Sequence, residues 1–209
     1  MGSNLEALIA KSSSGLGPQL AEGEVRRVLG EAYALLDDLL TARNGFYAFH
    51  RALHVFPLFG NAGEIGLVDW NAPTLWRNDY PDMAPSGFFF AEDLLGAQFW
   101  TNGDAVCLMD EESGVLSVYA KTFEDWARRL LADDGAEIGA NLAHEWQEKN
   151  GLLMDGFRIA PKVPFILKGS PDIGNLYAAR SVDLMKFRAD IATQVKDLPD
   201  GTRVEVKVI

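Results

Sequence analysis

Three histidines, one cysteine and several runs of acids are the residues of this chain whose types could do chemistry. His50 and His54 are four apart, the spacing at which two imidazoles on one helix face hold a zinc ion, with His144 the candidate third ligand. The surrounding residues 46–59 are aromatic and include Pro57. That composition suits a strand that ends at the proline, so both histidines are expected to be structural. His144-Glu145-Trp146-Gln147-Glu148 starts like the zinc-protease helix motif but has Glu148 where the second histidine belongs. Cys107 lies between Val106 and Leu108, apolar neighbours that raise a thiol's pKa and leave it inert. No Gly-x-Ser-x-Gly elbow, phosphate-binding Gly-Lys-Ser/Thr loop or Gly-x-Gly-x-x-Gly motif is present. No metal, cofactor or catalytic residue is therefore expected.

The acids are the better lead. Residues 1–60 hold 6 acids and 5 bases, residues 61–120 hold 10 and 1, and residues 121–209 hold 14 and 13. Nearly all of the net charge of −11 thus falls in the middle third, where Arg77 is the one basic residue. Such a segment repels nucleic acid, whose binding needs Lys and Arg against phosphates, and attracts a basic partner. The alternative reading is that these acids only solvate turns. Glu92, Asp93, Asp110, Glu111 and Glu112 are the candidate contact acids. Trp76 and Tyr80, with Asp79 and Asp82 beside them in a Pro-interrupted segment, are the candidate exposed anchors, because interfaces favour aromatic residues rimmed by charge. Packing beneath the loop is the alternative for the two aromatics.

The elements that must position these residues centre on residues 86–131. Apolar runs at 88–91, 97–101, 104–110 and 115–120 are separated by turn signals, among them Asn102-Gly103, the strongest short-range hairpin signal. Thr122 then opens a Thr-x-x-Asp cap, and Phe123, Trp126, Ala127, Leu130 and Leu131 recur at helical spacing. An antiparallel meander followed by an amphipathic helix predicts a single α+β domain with a central sheet packed by helices.

Upstream, residues 1–21 read as a flexible lead-in, although Leu5, Leu8 and Ile9 could form one helical turn. The domain proper is expected over residues 22–209. A helical stripe runs from Val25 to Leu40 and stops at Asn44-Gly45. Residues 52–56 and 64–68 read as strands, and a short helix follows Pro73. Downstream, Ile138, Leu142 and Trp146 mark a helix. One short strand is expected within 152–167. Ser181 is expected to cap a last helix. Residues 203–209 alternate as a half-buried strand.

With 209 residues, 48% hydrophobic, and no apolar window of bilayer length, a soluble cytoplasmic protein without a signal peptide is expected. Glu6 occupies the place of the Ser or Thr that myristoylation favours.

The order of features resembles the SUKH superfamily (Smi/Knr-like), which includes yeast cell-wall-synthesis regulators and bacterial immunity proteins of polymorphic toxin systems. The residues that carry the likeness are Phe89-Phe90-Ala91-Glu92-Asp93-Leu94-Leu95-Gly96-Ala97-Gln98-Phe99, Asp110-Glu111-Glu112-Ser113-Gly114, and Phe123-Glu124-Asp125-Trp126-Ala127. Trp146-Gln147, Asn150-Gly151-Leu152, Gly174-Asn175-Leu176-Tyr177 and Leu198-Pro199-Asp200-Gly201 continue it. Lys168-Gly169-Ser170-Pro171 departs from it, standing where many relatives have a Gly-Gly pair. The resemblance implies a non-enzymatic immunity protein that blocks a basic cognate toxin, such as a nuclease, through an acidic surface. The alternative is an intracellular scaffold or regulatory module. A carboxylate-based enzyme is a third possibility that no motif supports.

Overall fold

Turn chemistry and alternation build the sheet where the sequence places it. The computed structural model describes residues 1–80, 87–103, 105–198 and 202. Among them, β1 (Phe46–Ala48), β2 (Leu53–Val55), β3 (Phe88–Glu92), β4 (Gln98–Thr101), β5 (Val106–Met109) and β6 (Leu116–Ala120) form one sheet in sequence order. Every neighbouring pair is antiparallel. Gly103 has φ +104°, the left-handed geometry that the Asn-Gly turn requires. A second antiparallel pair, β7 (Phe157–Pro161) and β8 (Leu176–Arg180), stands apart from the six-stranded sheet.

The helices are α1 (Ser3–Ala10), α2 (Glu24–Leu29), α3 (Leu35–Ala42), α4 (Leu67–Trp70), α5 (Phe123–Ala132), α6 (Ala140–Asn150) and α7 (Ser181–Val195). Helix α5 begins as expected: the Thr122 hydroxyl accepts the Asp125 amide at 3.0 Å. Its apolar side covers the sheet, with Phe123 tilted against Phe90 and Trp126 edge-on to it at centroid distances of 5.0 and 5.4 Å. Burying each such ring contributes about 1.5–3 kcal/mol. A second aromatic cluster joins Phe56, Trp70, Trp76 and Phe89. Together these define a single-domain α+β fold.

Several expectations are corrected. Residues 1–21 are not a loose lead-in: α1 buries Leu5, Leu8 and Ile9 and packs on α5. The Glu124 carboxylate accepts the Asn4 and Leu5 amides at 3.0 and 3.2 Å, which suits the electropositive start of a helix. The stripe from Val25 to Leu40 is not one helix, because Gly30 at φ +95° breaks it. Leu67 and Val68 lie in α4 rather than in a strand, and β1 and β8 were not anticipated. Ser181 is the first residue of α7, not its cap. Lys168 takes φ +65°, a geometry a glycine adopts more easily. The strand expected at 203–209 lies outside the described residues.

Candidate protein-binding surface

Four of the candidate acids meet at one place. Asp93, Asp110, Glu111 and Glu112 line a cleft of about 450 Å³ together with Leu108, Phe165 and the β3–β4 connection at Leu95 and Ala97. The turn between β5 and β6 supplies three of them. Asp110 fixes that turn, its Oδ1 accepting the Ser113 amide at 2.8 Å and the Ser113 hydroxyl at 2.6 Å. Asp93 Oδ1 does the same for the β3–β4 connection, accepting the amides of Leu95, Gly96 and Ala97 at 2.8–2.9 Å. Glu112 accepts the Phe165 amide at 3.2 Å, which ties the loop after β7 to the cleft.

Glu111 is buried, and its carboxylate lies 3.6 Å from the guanidinium of Arg188, itself only 3% exposed. Burial pushes Glu111 up to about 8, and the neighbouring Asp93 and Asp110 charges add to that rise while Arg188 opposes it. Burial also raises Asp93, to about 6, against the pull of its three amides and Arg188. At 3.6 Å the Glu111–Arg188 contact is longer than a charge-assisted hydrogen bond, consistent with a carboxyl that keeps its proton near neutrality.

Glu92 is elsewhere. It is fully buried behind the cleft, where its Oε1 accepts from His54 Nδ1 at 2.9 Å, Arg158 Nε at 3.0 Å and the Ser181 hydroxyl at 2.8 Å. Burial alone would raise its pKa, but Arg158, His54 and Ser181 outweigh it and hold the carboxyl below its usual value. The other His54 nitrogen stands 3.2 Å from Glu64, whose second oxygen accepts the Tyr47 hydroxyl. Burial of Tyr47 raises its phenol far above the ordinary range. This network fastens β1, β2, β3, β7 and α7 to one another, and Glu92 is a structural residue rather than a contact residue.

The aromatic anchors are corrected too. Trp76 and Tyr80 are both fully buried, Trp76 donating to the Trp70 carbonyl at 3.0 Å and Tyr80 to the Glu111 carbonyl at 2.7 Å. Packing beneath the loop is thus the outcome, and Tyr80 serves the cleft from below by holding the main chain of Glu111. Asp79 is exposed, and Asp82 lies outside the described residues. His54 and His50 do not share a face: His54 is internal, whereas His50 is exposed at the β1–β2 turn. Among the described residues no group of three or more His, Cys, Asp and Glu side chains is arranged to hold a metal ion. Burial raises the Cys107 thiol, as its neighbours predict.

The sequence reading missed Arg188 and Arg158, the two buried cations that neutralise these acids. Arg188 follows Ser181, Leu184 and Met185 on the buried side of α7. A charged residue in register with an apolar stripe signals an internal partner, and that signal was legible.

The fold and cleft define a single-domain α+β protein with an antiparallel meander and an acidic recess at one sheet end. No family model matches the chain, and no curated protein does. Among solved structures it is similar to Atu4351 from Agrobacterium tumefaciens, with a TM-score of 0.53 and 11% identity over 87% of this chain and 86% of that one. At that identity the likeness concerns the fold alone. No helix among the described residues is long and apolar enough to cross a membrane.

Proposed function

We propose that this chain is a non-enzymatic protein-binding domain, an immunity protein of the bacterial cytoplasm that neutralises a basic cognate toxin by occupying its substrate-binding surface. The observation that carries this reading is the convergence of Asp93, Asp110, Glu111 and Glu112 on one cleft with the apolar Leu108 and Phe165. Exposed Asp110 and half-buried Asp93 stand with half-buried Leu108 and Phe165 in its lining, a mixture of charge and apolar surface suited to a protruding Lys or Arg of a partner. Each acid is held by main-chain amides, a side-chain hydroxyl or Arg188, so the surface is preorganised, which reduces the entropy lost on association. A nuclease is the favoured kind of toxin, since its cleft is basic where it meets phosphates, and an acidic protein would compete there and be steered to it quickly. The likeness to SUKH immunity proteins points the same way.

The test is co-purification of partners from the native host, followed by co-expression with whatever is captured. Rescue of cells from a captured toxin is expected. Charge reversal at exposed Asp110, Asp110→Lys, should slow association by about tenfold or more, and wild-type association should slow as salt rises, because rim charges act mainly on the on-rate. An on-rate indifferent to both changes would refute the electrostatic mechanism. Tight capture of a housekeeping complex without rescue would instead support the scaffold reading.

A further inference from the structure

Among the described residues, the turn between β1 and β2 alone has three consecutive non-glycine residues in the left-handed region. Phe49, His50 and Arg51 follow one another with φ of +52°, +55° and +67°. Left-handed geometry costs a non-glycine residue about 1–2 kcal/mol, and three in succession persist only where the surroundings impose them. Those surroundings are explicit. Gln147 Nε2 donates to the His50 carbonyl at 2.8 Å, and Arg158 Nη1 donates to the Arg51 carbonyl at 2.7 Å. Gly135 abuts the Phe49 ring so closely that a Cβ there would lie 2.6 Å from it. Gln147 is itself fixed, donating to the Ala143 carbonyl at 3.0 Å and accepting the Leu153 amide at 3.1 Å.

The turn thereby presents the His50 imidazole beside that of His144 on α6. Both side chains are exposed, and their ring centroids are 4.7 Å apart with planes inclined at 37°. A cation about 2.0–2.1 Å from one nitrogen of each ring, with an angle of roughly 90–110° between the two bonds, would set the centroids about 4.5–5.2 Å apart. The observed separation falls inside that interval. Glu148 lies one helical turn beyond His144, on the same side of α6 and exposed.

We infer that His50 and His144 form a two-imidazole surface site for a borderline divalent transition metal such as Zn²⁺, Ni²⁺ or Cu²⁺, which pins the β1–β2 turn to α6. Nitrogen donors select these ions over Mg²⁺ and Ca²⁺, which take oxygen ligands. Water fills the remaining positions. The site is independent of the acidic cleft and of any partner.

Calorimetric titration of the untagged full-length chain with ZnCl₂ and NiCl₂ at pH 7.5, beside His50→Ala, His144→Ala and Cys107→Ser, tests the assignment. Both histidines are exposed, so the two alanine variants should keep the fold, which circular dichroism checks. One equivalent of metal should bind with micromolar affinity, and each histidine variant should weaken it by at least about tenfold while Cys107→Ser leaves it unchanged. Binding should also weaken at pH 5.5, because protons compete for the ring nitrogens. Absence of wild-type binding, retention of it in either histidine variant, or its loss in Cys107→Ser would overturn the proposal.

Discussion

Glu111 shows how a single carboxyl can make stability depend on pH in a direction opposite to the common one. Its folded-state value, near 8, lies above that of an unfolded glutamate, so the folded chain keeps a proton that the unfolded chain releases. The resulting stabilisation is complete below the unfolded value and is lost as pH rises toward 8, at a rate on the order of 1 kcal/mol per pH unit. Glu111→Gln, which keeps the shape and removes the charge, should match wild type at pH 5 and exceed its melting temperature by several degrees at pH 8.5. Equal pH slopes for the two proteins in thermal scans would contradict this. The residue scale is also where sequence reading succeeded and failed within one set of acids. Asp93, Asp110, Glu111 and Glu112 were legible as a group because each belongs to a turn motif, and turns cluster at sheet ends. Glu92, one residue before Asp93, was not separable from them: strand alternation turns it inward, and its partners Arg158 and Ser181 stand 66 and 89 positions away. No local pattern announces contacts at that range.

At the scale of elements, the pieces bounded by a turn, cap or proline signal were readable and those without one were not. Thr122 and the aromatic stripe after it located α5 because cap and periodicity agree. Thr122→Ala should cost about 1 kcal/mol in urea unfolding, by leaving the Asp125 amide without its acceptor. An unchanged midpoint would mean that packing on Phe90 alone fixes the start of α5. β2 was legible at 52–56 because Pro57 marks its end, whereas β1, also of three residues, is fully buried and shows no alternation. Length and pattern alone cannot distinguish such runs from loops. Helix α1 was underestimated for a different reason: its eight residues are marginal in isolation. What holds it is the Glu124 carboxylate and the apolar side of α5, which lie more than a hundred positions downstream. Gly30 divides α2 from α3 within a stripe whose apolar spacing is otherwise continuous, and spacing is blind to one backbone angle.

Among the described residues the six strands of the main sheet pair in sequence order, each with its neighbours along the chain. From β3 to β6 such pairing closes short loops and favours rapid formation of that part of the sheet. The polar heart of the fold has the reverse character, since Glu92 belongs to β3 whereas Arg158 and Ser181 come from β7 and α7. Pulse-labelled hydrogen exchange during refolding should therefore protect β3 to β6 before α7. Simultaneous protection of both would argue for a single concerted step. During synthesis the same arrangement sets an order of events: the sheet can pair with an internal acid still hydrated, and the counter-ion that lets the interior dry arrives only with β7 and α7. A chain that has paired its sheet but not yet docked β7 and α7 would carry its strands in place and its centre wet, so protease resistance should appear when those two elements dock.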